Sequence, residues 1–426
     1  MSTRHRFDGH VPGGNIRLST IERSIVYVGV FLAPYADLRF SEFFFTVSDF
    51  LFCLSLAILL ISNRIHKWPL NQATQLWFVA FLLLFAGLLI GSLAQGSPIR
   101  GLIVIAQYSF SYLVLMFVLI GEDPQEAYRV AAVFLATIIL VDIQGIYAFY
   151  FVGYVPGEVV VTGAGRLATV LRNPNLAASI NALTMPILLY FWSSGRMKVY
   201  FALPLVAISL VTVILTGSNS GLTTMVICLV VYLICIATPK LLIRLALGGV
   251  ILVGAFTSLG GVDLLPATFQ KRVVGALKSG DISEAGTYLA RADLISESIS
   301  MISDERIFLV GIGADQFRER SVQGAPVHNL YLLLWAEGGL LAVIGWVLFS
   351  GVGVLLWFAI RKAGGNKHAL AIVITVVAVF LTIALFYPHM YARYWTLPVF
   401  LCFGLGLKQL KRVHPSGEVS LDKNSV

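Results

Sequence analysis

Residues 199–238, VYFALPLVAISLVTVILTGSNSGLTTMVICLVVYLICIAT, are two long apolar runs joined by the polar turn Gly217-Ser218-Asn219-Ser220. A helix crosses the hydrocarbon core of a bilayer with roughly 17 to 25 apolar residues, and each run is of that length. In lipid a helix satisfies its own backbone N–H and C=O groups, so runs of this kind are helices. The pair reads as a membrane hairpin.

Working outward, similar runs lie near 24–37, 43–62, 76–94, 101–120, 130–152, 175–193, 242–261, 329–360, 368–386 and 394–408. With the hairpin at 199–216 and 220–238 this makes about twelve spans, or eleven if Pro34 ends the first too early. The chain is 58% apolar and only 12% charged over 426 residues, with a mean hydropathy of +0.85. That is more apolar surface than one soluble core can hide. The expected fold is an all-α polytopic membrane protein with one long polar loop. Its parts are a tail over 1–23, spans over 24–262, the loop over 263–326, further spans over 327–408, and a tail over 409–426.

Orientation follows from charge. Of the thirty Lys and Arg residues, seven fall in the 263–326 loop. Five more, Arg39, Arg100, Arg166, Arg172 and Arg393, fall in the short connections on the loop's side, which leaves eighteen for the other side and the two termini. The positive-inside rule then makes both termini cytoplasmic and puts the loop outside. Topology accounts for most of the net charge of +8, so the excess does not point to nucleic acid. The opening residues, with Arg4, Arg6, Arg17 and Arg23, show no small-residue cleavage pattern and are read as a retained terminus. Cys53, Cys228, Cys235 and Cys402 all lie in apolar runs, where cysteine behaves as a small hydrophobe.

On that topology the 153–173 loop, the Ser218 turn, the 387–393 turn and the long loop all open on one side. The orientation rule counts charge and knows nothing of motifs, so this convergence is a functional signal of its own.

In the first cluster, Gly165-Arg166 is followed by Arg172-Asn173-Pro174-Asn175. Asn173 suits an N-cap and Pro174 the first helical position. Two arginines beside a helix N-terminus make a seat for phosphate or diphosphate. The same residues serve equally well as solvated loop arginines near lipid headgroups. The second cluster, around Ser218 and Asn219, reads locally as a tight connection made of turn residues.

In the long loop, Arg291 opens an amphipathic stretch over 291–302 with Leu294, Ile295, Ile299 and Ile302 at helical spacing. Gly311-Ile-Gly313 suggests a tight turn; a lone Gly-x-Gly is weak evidence for a nucleotide site. His328-Asn329-Leu330-Tyr331 ends the loop. If helical from there, His328, Tyr331 and Trp335 share a face, which sets the imidazole on an aromatic platform. Histidine titrates near neutrality and could accept a proton from an attacking hydroxyl. A single interfacial histidine is nonetheless more often a headgroup neighbour than a base, and the same holds for His389. Asp49, Asp142 and Glu337 fall in apolar runs, where they must face the bundle interior or an interface. No metal-ligand spacing, Walker loop, nucleophile elbow or Asp-x-Asp pair is present, which argues against metal-dependent or nucleotide-hydrolysing chemistry.

The order of these clusters resembles the O-antigen ligase and polymerase family of bacterial membrane glycosyltransferases. It runs Arg-x6-Asn-Pro-Asn, then Leu-Thr-Gly-Ser, then a loop with Arg, Gly-x-Gly and Phe, then His-Asn-x-Tyr-Leu and Glu-Gly-Gly-Leu, over residues 160–350. No one motif is specific; the signal is their order. The resemblance implies a GT-C-like fold of about twelve transmembrane helices with a long periplasmic loop, in the bacterial inner membrane. It implies metal- and cofactor-independent transfer of a glycan from an undecaprenyl-diphosphate carrier to an acceptor hydroxyl of a glycan or of lipid A core. Arg166 and Arg291 match the family's diphosphate-holding arginines and His328 its acceptor-side histidine. Arg172, Asn173, Asn175, Ser218, Asn219, Asn329 and Tyr331 are the further substrate-binding candidates.

Two departures stand out. Asn219 replaces the arginine of the usual Ser-Arg-Gly, and Arg172 stands where glycine precedes Asn-Pro-Asn. Arg172 is therefore the candidate to supply the charge missing at Asn219. A transporter or flippase for a lipid-linked saccharide is the competing class. It would show repeated halves and polar groups through the span, whereas no repeat is visible and the conspicuous cations sit at one interface.

Overall fold

The computed structural model describes residues 12–38, 45–121, 123–275 and 288–408. The expected tails over 1–11 and 409–426, Arg39, and residues 276–287 of the long loop lie outside the described residues. Regular structure among the described residues is helical, apart from one isolated antiparallel bridge between Val161 and Leu167.

The helices in chain order are α1 Pro12–Leu32, α2 Val47–Ile61, α3 Ala73–Ala94, α4 Pro98–Ser109, α5 Pro124–Tyr147, α6 Pro174–Ser193 and α7 Val199–Thr216. They continue as α8 Asn219–Ile236, α9 Pro239–Ser258, α10 Tyr288–Ile302, α11 Glu305–Val310, α12 Leu330–Lys362, α13 Lys367–Ala384 and α14 Arg393–Leu407. Every expected apolar segment coincides with one of these, but among the described residues eight helices are long and apolar enough to cross a membrane. They are α3, α4 as continued to Leu119, α5 as continued to Val152, α6, α7, α8, α12 and α13. Among the others, α2 and the apolar part of α9 are shorter.

The first segment differs most from expectation. Helix α1 starts at Pro12 and ends at Leu32, so residues 12–23 are helix and not tail. The polar residues there have partners in the bundle. Ser55 on α2 donates to Glu22 at 2.7 Å, and Arg23 reaches Asp123 ahead of α5 at 3.2 Å. With those partners, charged residues extend the helix instead of ending it.

The helix starts follow side-chain caps. Thr46 and Asp49 cap α2 reciprocally, and Asn173, Ser218, Asn329 and Asn366 cap α6, α8, α12 and α13. Each oxygen satisfies N–H groups that a helix start leaves orphaned. The α3 and α12 backbones cross closely because small residues meet there: a Cβ on Gly87 would lie 2.5 Å from the Gly338 carbonyl and the Ala342 nitrogen. Close backbone approach is how helices associate when lipid is as apolar as their side chains.

The costly ionisable residues do face inward. Asp49 pairs with Arg393 at 3.2 Å, both side chains 6% exposed. Asp142 accepts from Asn181 at 2.9 Å. Glu337 accepts from the Phe317 amide at 3.2 Å.

That last bond is part of a larger joint. Helix α12 is broken at Gly339, whose φ is +64°. The break leaves carbonyls that a continuous helix would use. Ile312 N donates to the Ala336 carbonyl at 2.8 Å and Gly313 N to the Glu337 carbonyl at 2.9 Å. Ala314 N is taken up by Ser92 on α3 at 3.0 Å. Non-helical backbone at this depth is tolerated where other protein satisfies it. The Gly311-Ile-Gly313 segment is thus a docking clip between the loop and α12. It also means that this part of the loop is pinned to the bundle.

Candidate functional site

Arg166 is held in place by its surroundings. Leu167 N donates to the Leu215 carbonyl at 3.0 Å, which lays the 161–167 hairpin against the end of α7. There Arg166 Nε donates to the Thr216 carbonyl at 2.7 Å and Nη2 to Asn175 Oδ1 at 2.8 Å. The guanidinium therefore caps an orphan carbonyl at the C-terminus of α7 and grips the first turn of α6. Three sequence elements, the 153–173 loop, the Ser218 turn and the start of α6, meet at this one side chain.

The 267–274 turn closes in from the long loop. Thr268 Oγ1 donates to the Gly165 carbonyl at 2.8 Å, and Asn219 Nδ2 donates to the Arg272 carbonyl at 3.2 Å. Burial, followed by the nearby Arg272 and Arg291 charges and partly offset by Tyr387, pushes the Arg166 guanidinium down to about 10. Arg291, in the first turn of α10, is likewise lowered by burial, with Tyr387 opposing and Arg272 adding. Arg166, Arg291, Arg272 and Tyr387 are therefore electrostatic neighbours. Arg291 Nε and Arg272 Nε are buried without a hydrogen-bond partner among the described residues.

His328 lies just outside α12, before its Asn329 cap, between the fully buried Val327 and Leu330. Its Nδ1 is buried and has no hydrogen-bond partner among the described residues. Burial lowers its pKa first, the Arg291 charge lowers it further, and the Pro326 carbonyl acts the other way. The ring is accordingly neutral at neutral pH. His389 stands close enough for His328 to act on it. Burial takes His389 down to about 4, with Asp315 opposing and His328 adding.

The aromatic platform expected under His328 does not form, because the helix starts after it. Tyr331 packs edge-on against Trp346 at 6.4 Å, and Trp335 packs against Phe308 at 5.1 Å. Asn329, Asn173 and Ser218 spend their side-chain oxygens as caps: Leu332 N donates to Asn329, Asn175 and Leu176 N to Asn173, and Gly221 N to Ser218. Arg172 does not join Arg166. Its backbone is left-handed at φ +58° and its Nε pairs with Asp37 at 2.7 Å on the surface. The residue that Asn219 holds is Arg272, by its backbone carbonyl.

Arg272 and Tyr387 are the neighbours that sequence reading missed. Arg272 is one of seven basic residues in the loop, and nothing in its local pattern sets it apart. Only the fold brings it to Asn219.

A cluster of cations without carboxylate partners among the described residues, next to a neutral imidazole, can hold a polyanion and accept a proton. No three His, Cys, Asp or Glu side chains among the described residues gather as a metal site. Fold and site together define a helical membrane protein with a cationic site built where its loops converge. Residues 204–347 match the family model described as O-antigen ligase. The match runs from α7 through the long loop and His328 into α12, and so independently supports the O-antigen ligase and polymerase family. No curated protein matches the chain significantly.

Proposed function

We propose that the chain is an inner-membrane glycosyltransferase that moves a glycan from an undecaprenyl-diphosphate carrier to an acceptor hydroxyl at the periplasmic face. The observation that carries this reading is the electrostatic proximity of Arg166, from the 153–173 loop, to Arg291, and of Arg291 to His328 at the end of the same long loop. Arg166 and Arg291 hold the diphosphate, as planar guanidiniums suit phosphate oxygens.

In the proposed step the acceptor oxygen bonds to the anomeric carbon. The bond from that carbon to the phosphate oxygen breaks, and its electron pair leaves on the lipid diphosphate. The hydroxyl proton passes to His328. A single displacement of this kind inverts the anomeric centre. The arginines neutralise charge that grows on the leaving group, which is where fixed positive charge lowers a barrier most. Guanidiniums supply the charge that a metal ion gives in other diphosphate chemistry, so the reaction is proposed to need neither metal nor cofactor.

The acceptor is either lipid A core or a glycan that grows by repeat units. Ligases and polymerases share donor and leaving group and differ there, so a deletion strain distinguishes them. Loss of capped lipopolysaccharide marks a ligase, and loss of a secreted or lipid-linked polymer marks a polymerase. The reaction is tested with protein purified in detergent, a lipid-diphosphate glycan and an acceptor, with EDTA and no nucleotide. Product with the opposite anomeric configuration is expected. Retained configuration, or activity that EDTA abolishes, would contradict the proposal.

A further inference from the structure

The 267–274 turn is fixed from two sides. Thr268 ties it to Gly165, the residue before Arg166, at 2.8 Å. Asn219 ties the Arg272 carbonyl to the start of α8 at 3.2 Å. Between these anchors a Cβ on Gly217 would stand 3.9 Å from both Arg166 Nε and the Phe269 nitrogen. The turn and the Arg166 guanidinium therefore border the same space, and Arg272 is held there by its backbone and not by its charge.

Its charge, in contrast, has no carboxylate partner among the described residues. None of the ion pairs among the described residues involves Arg166, Arg272 or Arg291. Arg272 Nε and Arg291 Nε are buried and have no hydrogen-bond partner among those residues. Arg23, Arg100, Arg129 and Arg172 each pair with a carboxylate, and Arg318 and Arg320 donate to backbone carbonyls. Gathering partly desolvated like charges is costly unless an anion answers them.

We infer that Arg272 is a third anion-holding arginine of the candidate site, and that Asn219 is the positioning residue that sets it there. This rests on the proposed donor chemistry and deepens it. The site has three guanidiniums for a diphosphate, and the charge missing at position 219 is supplied through space from the long loop. The ligand chemistry is a diphosphate, lipid-linked or free.

The experiment uses the full chain purified in detergent, with undecaprenyl diphosphate and inorganic pyrophosphate as separate probes and calorimetry as the readout. Arg272→Gln should weaken binding of undecaprenyl diphosphate by about ten-fold or more, since a charge-assisted contact is lost. Arg272→Lys should restore part of it, because charge returns without the planar fork. Arg361→Gln, at the C-terminal end of α12, should bind like the wild type. Tighter binding of undecaprenyl diphosphate than of pyrophosphate assigns the site to the lipid-linked source, and the reverse to a free one.

Unchanged binding in Arg272→Gln, with wild-type binding intact, would overturn the inference alone. Failure of the wild type to bind either probe would overturn the donor reading with it. As a measurement free of folding effects, diphosphate should protect Arg272 of the wild-type protein from phenylglyoxal, read by mass spectrometry. Equal modification with and without diphosphate would count against the inference.

Discussion

Arg166 grips Asn175 with an Nη2 to Oδ1 hydrogen bond of 2.8 Å, at the first turn of α6. The bond orients a guanidinium without neutralising it, since an amide oxygen carries no net charge. Asn175→Ala should therefore loosen the arginine and reduce transfer by about ten-fold, the worth of one hydrogen bond to a charged group. Asn175→Asp should be worse, because a carboxylate there would pair with Arg166 and compete with the donor phosphates. Its effect should fall on KM. Steady-state kinetics on purified variants check both, and an Asp variant as active as the wild type would contradict the assigned role.

The pH profile follows from His328. Burial and the Arg291 charge hold its pKa below the ordinary histidine value, and the reactive form is neutral. Activity should be present above that lowered pKa and lost as pH falls through it, so the acid limb of kcat/KM should lie below about 6.5. Removing the neighbouring charge by Arg291→Gln should move the limb upward, whatever happens to the absolute rate. A limb that stays in place would show that Arg291 does not set the histidine.

Arg172 should matter little. Its partner is Asp37, and the two side chains are 48% and 53% exposed. Exposed pairs of this kind contribute about 0 to 1 kcal/mol. Arg172→Ala should change transfer by less than about three-fold, against the much larger loss expected at Arg166. Equal losses at the two positions would mean that Arg172 leaves Asp37 for the donor.

The clip at Gly311 links the loop to the site. Its φ is +79°, and a Cβ there would fall 2.4 Å from the Glu337 carbonyl oxygen. With ψ at 171° the backbone lies in a region nearly confined to glycine, so Gly311→Ala should strain it by about 1–3 kcal/mol before any clash is counted. The strain should undock the loop from the break in α12. Lower thermal stability together with faster proteolysis between α11 and α12 is expected; an unchanged cleavage pattern would mean that the loop is held elsewhere.

Helix positions were legible because an apolar run in lipid has few alternatives, and the caps at Asn173 and the turn at Ser218 are local chemistry. The start of α1 was not legible, since the partners of Glu22 and Arg23, Ser55 and Asp123, are far away in sequence. The site divides the same way. Arg166, Arg291 and His328 are candidates by their order along the chain, which motif spacing carries. That Arg172 turns to Asp37 while Arg272 stands beside Asn219 depends on where the loops fold back, and spacing does not encode it. The Gly-x-Gly and Glu-Gly-Gly segments were visible as motifs, but their purpose, one docking into the other, required the break at Gly339.

The most direct test of the account is transfer by His328→Ala. The purified variant, given a lipid-diphosphate glycan and an acceptor hydroxyl, should bind the donor as the wild type does and form product at least about a hundred-fold more slowly, the usual worth of a positioned base. Product formation at the wild-type rate would contradict the central claim that Arg166, Arg291 and His328 form one reaction site.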